Sequence, residues 1–161
     1  YTGLHFPTEI FAQAAGITLR HVPYNGAGPA VIALLGGHVD ALFTGVGPVL
    51  AHIKSGGLRA LATSGDRRLA AVPDVPTLKE LGLNVEYYLQ VGVVAHRDTP
   101  PPALMVLREA VKLAVRDPEF EAAMALLGTT VSYLDADEYR DFWAKDAKSI
   151  AETLRRIGRI E

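Results

Sequence analysis

Along the first eighty residues the apolar positions switch repeatedly between two periods. From Phe6 to Ala15 they recur at helical spacing and stop at Gly16, after which Ile17 to Val22 reads as a strand. The exchange repeats as a helix from about Pro29 to Leu35, a strand from Val39 to Thr44, a helix from Pro48 to Lys54 and a strand from Leu58 to Thr63. Repeated βα units with glycine-rich joints predict an α/β fold, a parallel or mixed sheet flanked by helices. Leu69 to Pro76 is a proline-punctuated connection, and Thr77 is placed to cap a short helix ending at Gly82.

After Tyr87 the pattern changes. Gln90 to Ala95 is an apolar run of strand length, and the chain beyond it is almost wholly helical. Pro100 to Pro102 read as a rigid connection. Leu104, Leu107, Val111 and Val115 then share a helical face, and Asp117-Pro118 opens a further helix that Gly128 ends. Asp135 and Glu138 form a capping pair for the last helix, whose Tyr139, Phe142, Trp143, Ile150, Leu154 and Ile157 make one stripe. That stripe reads as core, not as a cofactor contact. The change of character sets a domain boundary near residues 90–96.

Composition narrows the function. A chain of 161 residues with 49% hydrophobic content supports one ordinary core, or one complete lobe and part of another. Sixteen basic against eighteen acidic residues give a net charge of −2 with no basic stripe, so nucleic acid is not an expected partner. No apolar run reaches the ~20 residues needed to cross a bilayer. The chain has no cysteine, which removes disulfides and thiolate chemistry but leaves the compartment open.

The most informative stretch is Val22-Pro23-Tyr24-Asn25-Gly26-Ala27-Gly28-Pro29-Ala30, a strand end, a two-glycine turn and a helix start. Such a loop aims free backbone N–H groups and the positive end of a helix dipole at one place, which suits an anion. Gly26-x-Gly28 is also the front half of a dinucleotide fingerprint, but the sixth position is Val31 and Asp40 comes too early for the ribose carboxylate. A plain βα turn fits the same residues.

The order of several motifs separates these readings: His21-Val22-Pro23-Tyr24-Asn25-Gly26, Gly36-Gly37-His38-Val39-Asp40-Ala41-Leu42-Phe43, Lys54-Ser55-Gly56-Gly57-Leu58-Arg59-Ala60-Leu61-Ala62-Thr63 and Val72-Pro73-Asp74-Val75-Pro76-Thr77-Leu78-Lys79-Glu80-Leu81-Gly82. His5, Glu9, Phe11 and Ala15-Gly16-Ile17 precede them, and Thr99-Pro100-Pro101 follows, with His96 where a proline is usual. This series resembles the Bug family, the extracytoplasmic solute receptors of tripartite tricarboxylate transporters. The resemblance covers nearly the whole chain.

It implies a periplasmic binding protein type II-like fold. Residues 1–92 would form the second lobe, and residues 93–161 a return segment with C-terminal helices that pack on the first lobe. The family has a large region before the helix that carries Glu9, so the expectation is a C-terminal fragment. Helices without their sheet would leave the faces of Leu104, Leu107, Val111 and Trp143 bare and promote self-association. The implied function is periplasmic capture of a small organic carboxylate and its delivery to a membrane permease. No catalysis, cofactor or metal is implied.

The ligand contacts that follow from the resemblance are Thr2, Gly3 and His5 before and at the first helix. Tyr24, Asn25, Gly26, Ala27 and Gly28 in the first loop, and Thr44, Gly45 and Val46 in Phe43-Thr44-Gly45-Val46-Gly47-Pro48, complete the set. Helix-start amides and hydroxyls satisfy carboxylate oxygens without burying a full charge. Family members often carry an acidic residue near Thr44 or Gly45. Its absence here argues for a ligand without an amino group.

The competing class is an α/β enzyme or nucleotide-binding domain using the Gly26–Pro29 loop. A Ser-His-Asp set can be drawn from His38, Asp40, His52 and Ser55, but no Gly-x-Ser-x-Gly elbow accompanies it. The five histidines show no metal-ligand spacing. Asp66-Arg67-Arg68 reads as a surface turn, or as a carboxylate clamp if it faces a cleft.

Overall fold

Six helices carry the regular structure of residues 4–157, the part that the computed structural model describes, without the side chains of Arg156 and Ile157. They are α1 (His5–Ala15), α2 (Ala27–Leu35), α3 (Gly47–Lys54), α4 (Pro101–Ala114), α5 (Pro118–Leu126) and α6 (Ala136–Ile157). Each lies where the 3.6-residue apolar period predicts one. Gly16 ends α1 with a left-handed turn, φ 65°, donating its N–H to Gln13. Pro101 and Pro102 are not a connection but the first turn of α4, where their missing N–H groups cost nothing.

The chain divides into two compact units. The first holds the residues up to Leu89 together with Leu127–Thr129, and the second holds Gln90–Leu126 with the chain from Thr130 onward. Every buried hydrophobic residue among those described belongs to the first unit: Ala12, Ala30, Val31, Ala33, Val49, Leu50, Val72, Leu78 and Val85. Within it α2 packs on α3. The Leu127–Thr129 segment closes against the same core, because a methyl on Gly128 would lie 3.0 Å from Val46 Cγ1 and 3.2 Å from both Leu50 Cδ2 and Ala71 Cβ.

Two expectations need correction. Thr77 and Glu80 do form the reciprocal cap, Glu80 N–H to Thr77 Oγ1 at 3.1 Å and Thr77 N–H to Glu80 Oε2 at 2.7 Å, but no helix follows. Between Pro76 and Gly82, with φ 84°, only about one turn fits, and it closes through Leu81 N–H to Thr77 O and Gly82 N–H to Lys79 O. Glu80 is held further by Arg68, whose Nε lies 3.1 and 3.0 Å from its two oxygens and whose Nη1 donates to Pro73 O. That ion pair keeps the Glu80 carboxyl below its ordinary range and commits Arg68 to the fold.

The strand-length segments 17–22, 39–44, 58–63 and 90–95 form no ladder among the described residues. One parallel bridge joins Thr63 to Thr77, through Thr63 N–H to Pro76 O and Leu78 N–H to Thr63 O. A strand needs a neighbour on at least one edge before its backbone groups are paired and its apolar face is worth burying. Without one, these segments stay open: Ile17 is 47%, Leu61 69% and Val91 95% exposed.

In the second unit α6 packs on the 90–95 segment, with Gln90 Nε2 donating to Asp146 Oδ2 at 2.8 Å and Tyr139 lying over Gly92. Tyr139 stacks on Trp143 at 5.8 Å between centroids. Asp135 opens α6 as the sequence predicts, accepting from Ala136 N–H, while Glu138 accepts from Asp135 N–H. Arg108 of α4 reaches Asp135 at 2.9 Å. The α6 stripe is nonetheless only half covered, and no residue of α4 or α5 is buried.

The tight seat of Gly128 yields a stability prediction. Gly128→Ala, at φ 68° and against three side chains at 3.0–3.2 Å, should destabilise the first unit by about 1–3 kcal/mol. Urea unfolding followed by circular dichroism reads this out, and an unchanged midpoint would show that the 127–129 segment does not close that core.

Candidate functional site

Apart from His5 at the start of α1, the described candidate residues fall on two stretches of the first unit, each leading into a helix. Val22 to Gly26 forms the first, where Gly26 N–H donates to Tyr24 O at 2.9 Å and turns the chain tightly about Asn25. Gly26 is the N-cap of α2 with φ 102° and ψ 175°, a conformation open only to glycine. The helix therefore starts at Ala27, two residues earlier than the proline suggests, and Pro29 sits in its first turn. Tyr24 and Ala27 are half-buried, while Asn25, Gly26 and Gly28 are exposed.

The second loop, Phe43 to Val46, enters α3 at Gly47 with Pro48 next. The hydroxyl of Thr44 is buried and has no hydrogen-bond partner. Gly45 faces Leu89, and Gly47 lies against the Leu127 carbonyl, 3.1 Å from where its Cβ would be. Leu127 and Gly128 thus wall this loop, a role invisible in the sequence because Gly128 reads there only as a helix terminator.

Neither α2 nor α3 has a side-chain N-cap or an acidic residue in its first turn, and the same holds for α1. Helix-start amides left this way carry net positive potential and seek an anion or water. By contrast, Asp117 caps α5 through Glu119 N–H at 2.8 Å, and Asp135 serves α6. No charged side chain stands among Tyr24 to Gly28 or Thr44 to Val46, so an anion would meet only amides and one hydroxyl.

Helix α1 touches the approach to each loop. Its Phe11 ring meets Phe43, one residue before Thr44, with centroids 5.4 Å apart. His5 is 4% exposed, and its Nε2 lies 3.2 Å from Glu9 Oε1. Its ring stacks on His21 at 3.9 Å and 19°, immediately before Val22. Burial and the neighbouring His5 lower the His21 pKa below its ordinary value, against the pull of Glu9. The sequence marks His5 as a ligand contact and gives no sign of His21 as its partner, because a stack between residues sixteen positions apart has no local signature. Thr2 and Gly3 lie outside the described residues.

The alternative catalytic set does not come together. Ser55 Oγ donates to the His52 carbonyl at 3.2 Å, not to an imidazole, and His38 and Asp40 are exposed in a turn. Val31, at the position where a dinucleotide loop has its third glycine, is buried in α2. Among the described residues no cluster of three or more His, Asp or Glu has the arrangement to hold a metal. No helix among them is long and apolar enough to cross a membrane.

The family model described as tripartite tricarboxylate transporter family receptor matches residues 1–160. Protein BugT of Bordetella pertussis is 35% identical over 156 residues, 96% of this chain and 48% of its own. The chain spans about half the length of the curated relatives it matches. Among solved structures, a TctC solute binding protein from Polaromonas superposes with a TM-score of 0.79 at 26% identity, covering 96% of this chain and 54% of that one. MatC from Rhodopseudomonas palustris with bound malate superposes with a TM-score of 0.67 at 26% identity, covering 95% and 51%. The fold is therefore of the periplasmic-binding-protein kind.

Gly26 at the end of the first loop and Gly28 in the first turn of α2 should respond differently to substitution, although neither has a heavy atom within 4 Å of an added Cβ. Gly26→Ala forces φ 102° on an alanine and should cost roughly 1–3 kcal/mol. Gly28→Val lies in a helix with ordinary angles and should leave stability within about 0.5 kcal/mol. Thermal unfolding of both variants checks the pair, and equal losses would contradict the backbone assigned to Gly26.

Proposed function

As the chain belongs to the tripartite tricarboxylate transporter receptor family, we propose that it is the ligand-binding second lobe of a periplasmic receptor for a small organic carboxylate. The observation that carries this is the buried, unpartnered Thr44 hydroxyl beside the uncapped, acid-free start of α3. A carboxylate oxygen supplies the acceptor that hydroxyl lacks and the negative charge the helix start favours. The α2 start, with Ala27 and Gly28, offers a second set of amides of the same kind. The bound malate of MatC supports the ligand class.

The lack of an acidic side chain in either loop favours a ligand without an ammonium group, which would find no counter-ion there. In the full receptor the ligand would be enclosed between this lobe and the first, and closure would present it to a membrane permease. No bond is made or broken. Residues 93–161, as the return segment, would belong with the first lobe.

One lobe supplies part of the donor set, so the isolated chain should bind malate weakly, with Kd on the order of millimolar. In a heteronuclear NMR titration, malate should shift the amides of Ala27, Gly28 and residues 44–47, and ATP should not. Gly28→Val should abolish the shift at the α2 start by blocking approach. A response to ATP with none to malate would instead favour the nucleotide reading of the Gly26–Pro29 loop.

The bare apolar side chains extend the proposal to self-association. Val91, Val93, Val94, Met105, Val106 and Trp143 are all more than half exposed. Light scattering at tens of micromolar should show the 161-residue chain as a dimer or larger. A monodisperse monomer that also binds malate tightly would refute the lobe assignment.

A further inference from the structure

We propose that His5, Glu9 and His21 form a positioning device for the Val22–Pro29 loop, one that holds the loop in neutral solution and loosens it in acid. The proposal rests on the reading of that loop as the carboxylate anchor and adds a control to it. Three observations carry it. His5 is an almost fully buried imidazole at the first residue of α1, and a buried polar ring persists only with its hydrogen bond made, here to Glu9. His21, the residue that delivers the chain to Val22-Pro23-Tyr24, lies flat on that ring at 3.9 Å and 19°. The segment 17–22 has no ladder among the described residues: Ile17 N–H to Ala12 O at 3.0 Å ties its near end to α1, and this stack ties its far end.

The cluster contains two imidazoles and one carboxylate. Glu9 lies 3.2 Å from the His5 ring, on α1 itself. A positive charge on both stacked rings would place like charges in face-to-face contact. Among the described residues, the charges acting on His21 are His5, which opposes its protonation, and Glu9, which favours it. The outer face of His21 is open to solvent, so the proton has access.

The direction follows from linkage. The His21 pKa is lowered in the folded chain, so the stack contributes fully above the ordinary histidine value of 6.5 and is lost as pH falls through the lowered value. Acid should therefore free the loop before it unfolds helices that carry no histidine, such as α4.

The test uses the 161-residue chain without ligand, its imidazole protons and backbone amides followed by NMR from pH 8 to pH 5. His21 should titrate below its ordinary value, and the amides of Gly26 and Ala27 should move with the same midpoint while those of α4 stay still. His21→Phe keeps a flat ring on His5 but takes no proton, so its loop amides should stay at their neutral-pH positions throughout. His21→Ala removes the stack, so its loop amides should be displaced even at pH 8. Loop amides that ignore the His21 titration, or that still shift in His21→Phe, would overturn the proposal.

A malate titration then separates this inference from the one beneath it. Binding to the wild-type chain should weaken several-fold more between pH 7.5 and pH 5 than binding to His21→Phe, which sees the same protonation of malate itself. A loop that follows His21 but never responds to malate would keep the positioning device and refute the carboxylate reading.

Discussion

The candidate site depends on what α1 buries. His5 at one end of the helix and Phe11 two turns later contact His21 and Phe43, the residues that introduce the two loops. Both loops are glycine-bearing, and these aromatic contacts pin the chain where each of them begins. Burying an imidazole would be costly without a partner, and Glu9 one turn along supplies it at 3.2 Å. The helix therefore supplies the hydrogen-bond partner itself, and His21 needs only to lie flat on a ring already fixed.

The second constraint is electrostatic and arises from omission. The chain caps α5 and α6 with an aspartate, Asp117 and Asp135, and starts α4 at Pro100 with no side-chain cap. At α2 and α3 it places glycine and valine instead. A capping carboxylate is worth about 1 kcal/mol, and leaving it out keeps the amides free for something else. Beside one of these starts stands a buried hydroxyl with no partner. These are the features expected of a surface that binds a carboxylate without a counter-charge of its own.

The two units differ in how completely they are packed. The first has a core of alanine, valine and leucine from α1, α2, α3 and the 72–85 region, closed by Gly128. The second has amphipathic helices whose apolar faces are still largely in contact with water. Gln90 to Ala95 is apolar on both faces, the character of a strand meant to lie inside a sheet. Here one face meets α6 and Val91 on the other is 95% exposed.

Local order was legible in the sequence. Helical periodicity placed all six helices, Gly16 and Gly128 marked two ends, and the Asp135–Glu138 pair marked the start of α6, because each of these depends on residues within about one turn of one another. The family resemblance was legible too, since spaced motifs survive as strings. The Thr77 cap was read correctly and its helix was not, because a cap specifies a start and the distance to Gly82 decides whether a helix can follow. Tertiary structure alone decided the His5–His21 stack, the enclosure of the 43–48 loop by Leu127 and Gly128, the diversion of Arg68 to Glu80, and which strand-length segments found a partner. Each of these joins positions twelve or more residues apart, where pairing depends on closing a loop of chain and on the shape of what already lies there, neither of which leaves a mark in the local pattern of residues.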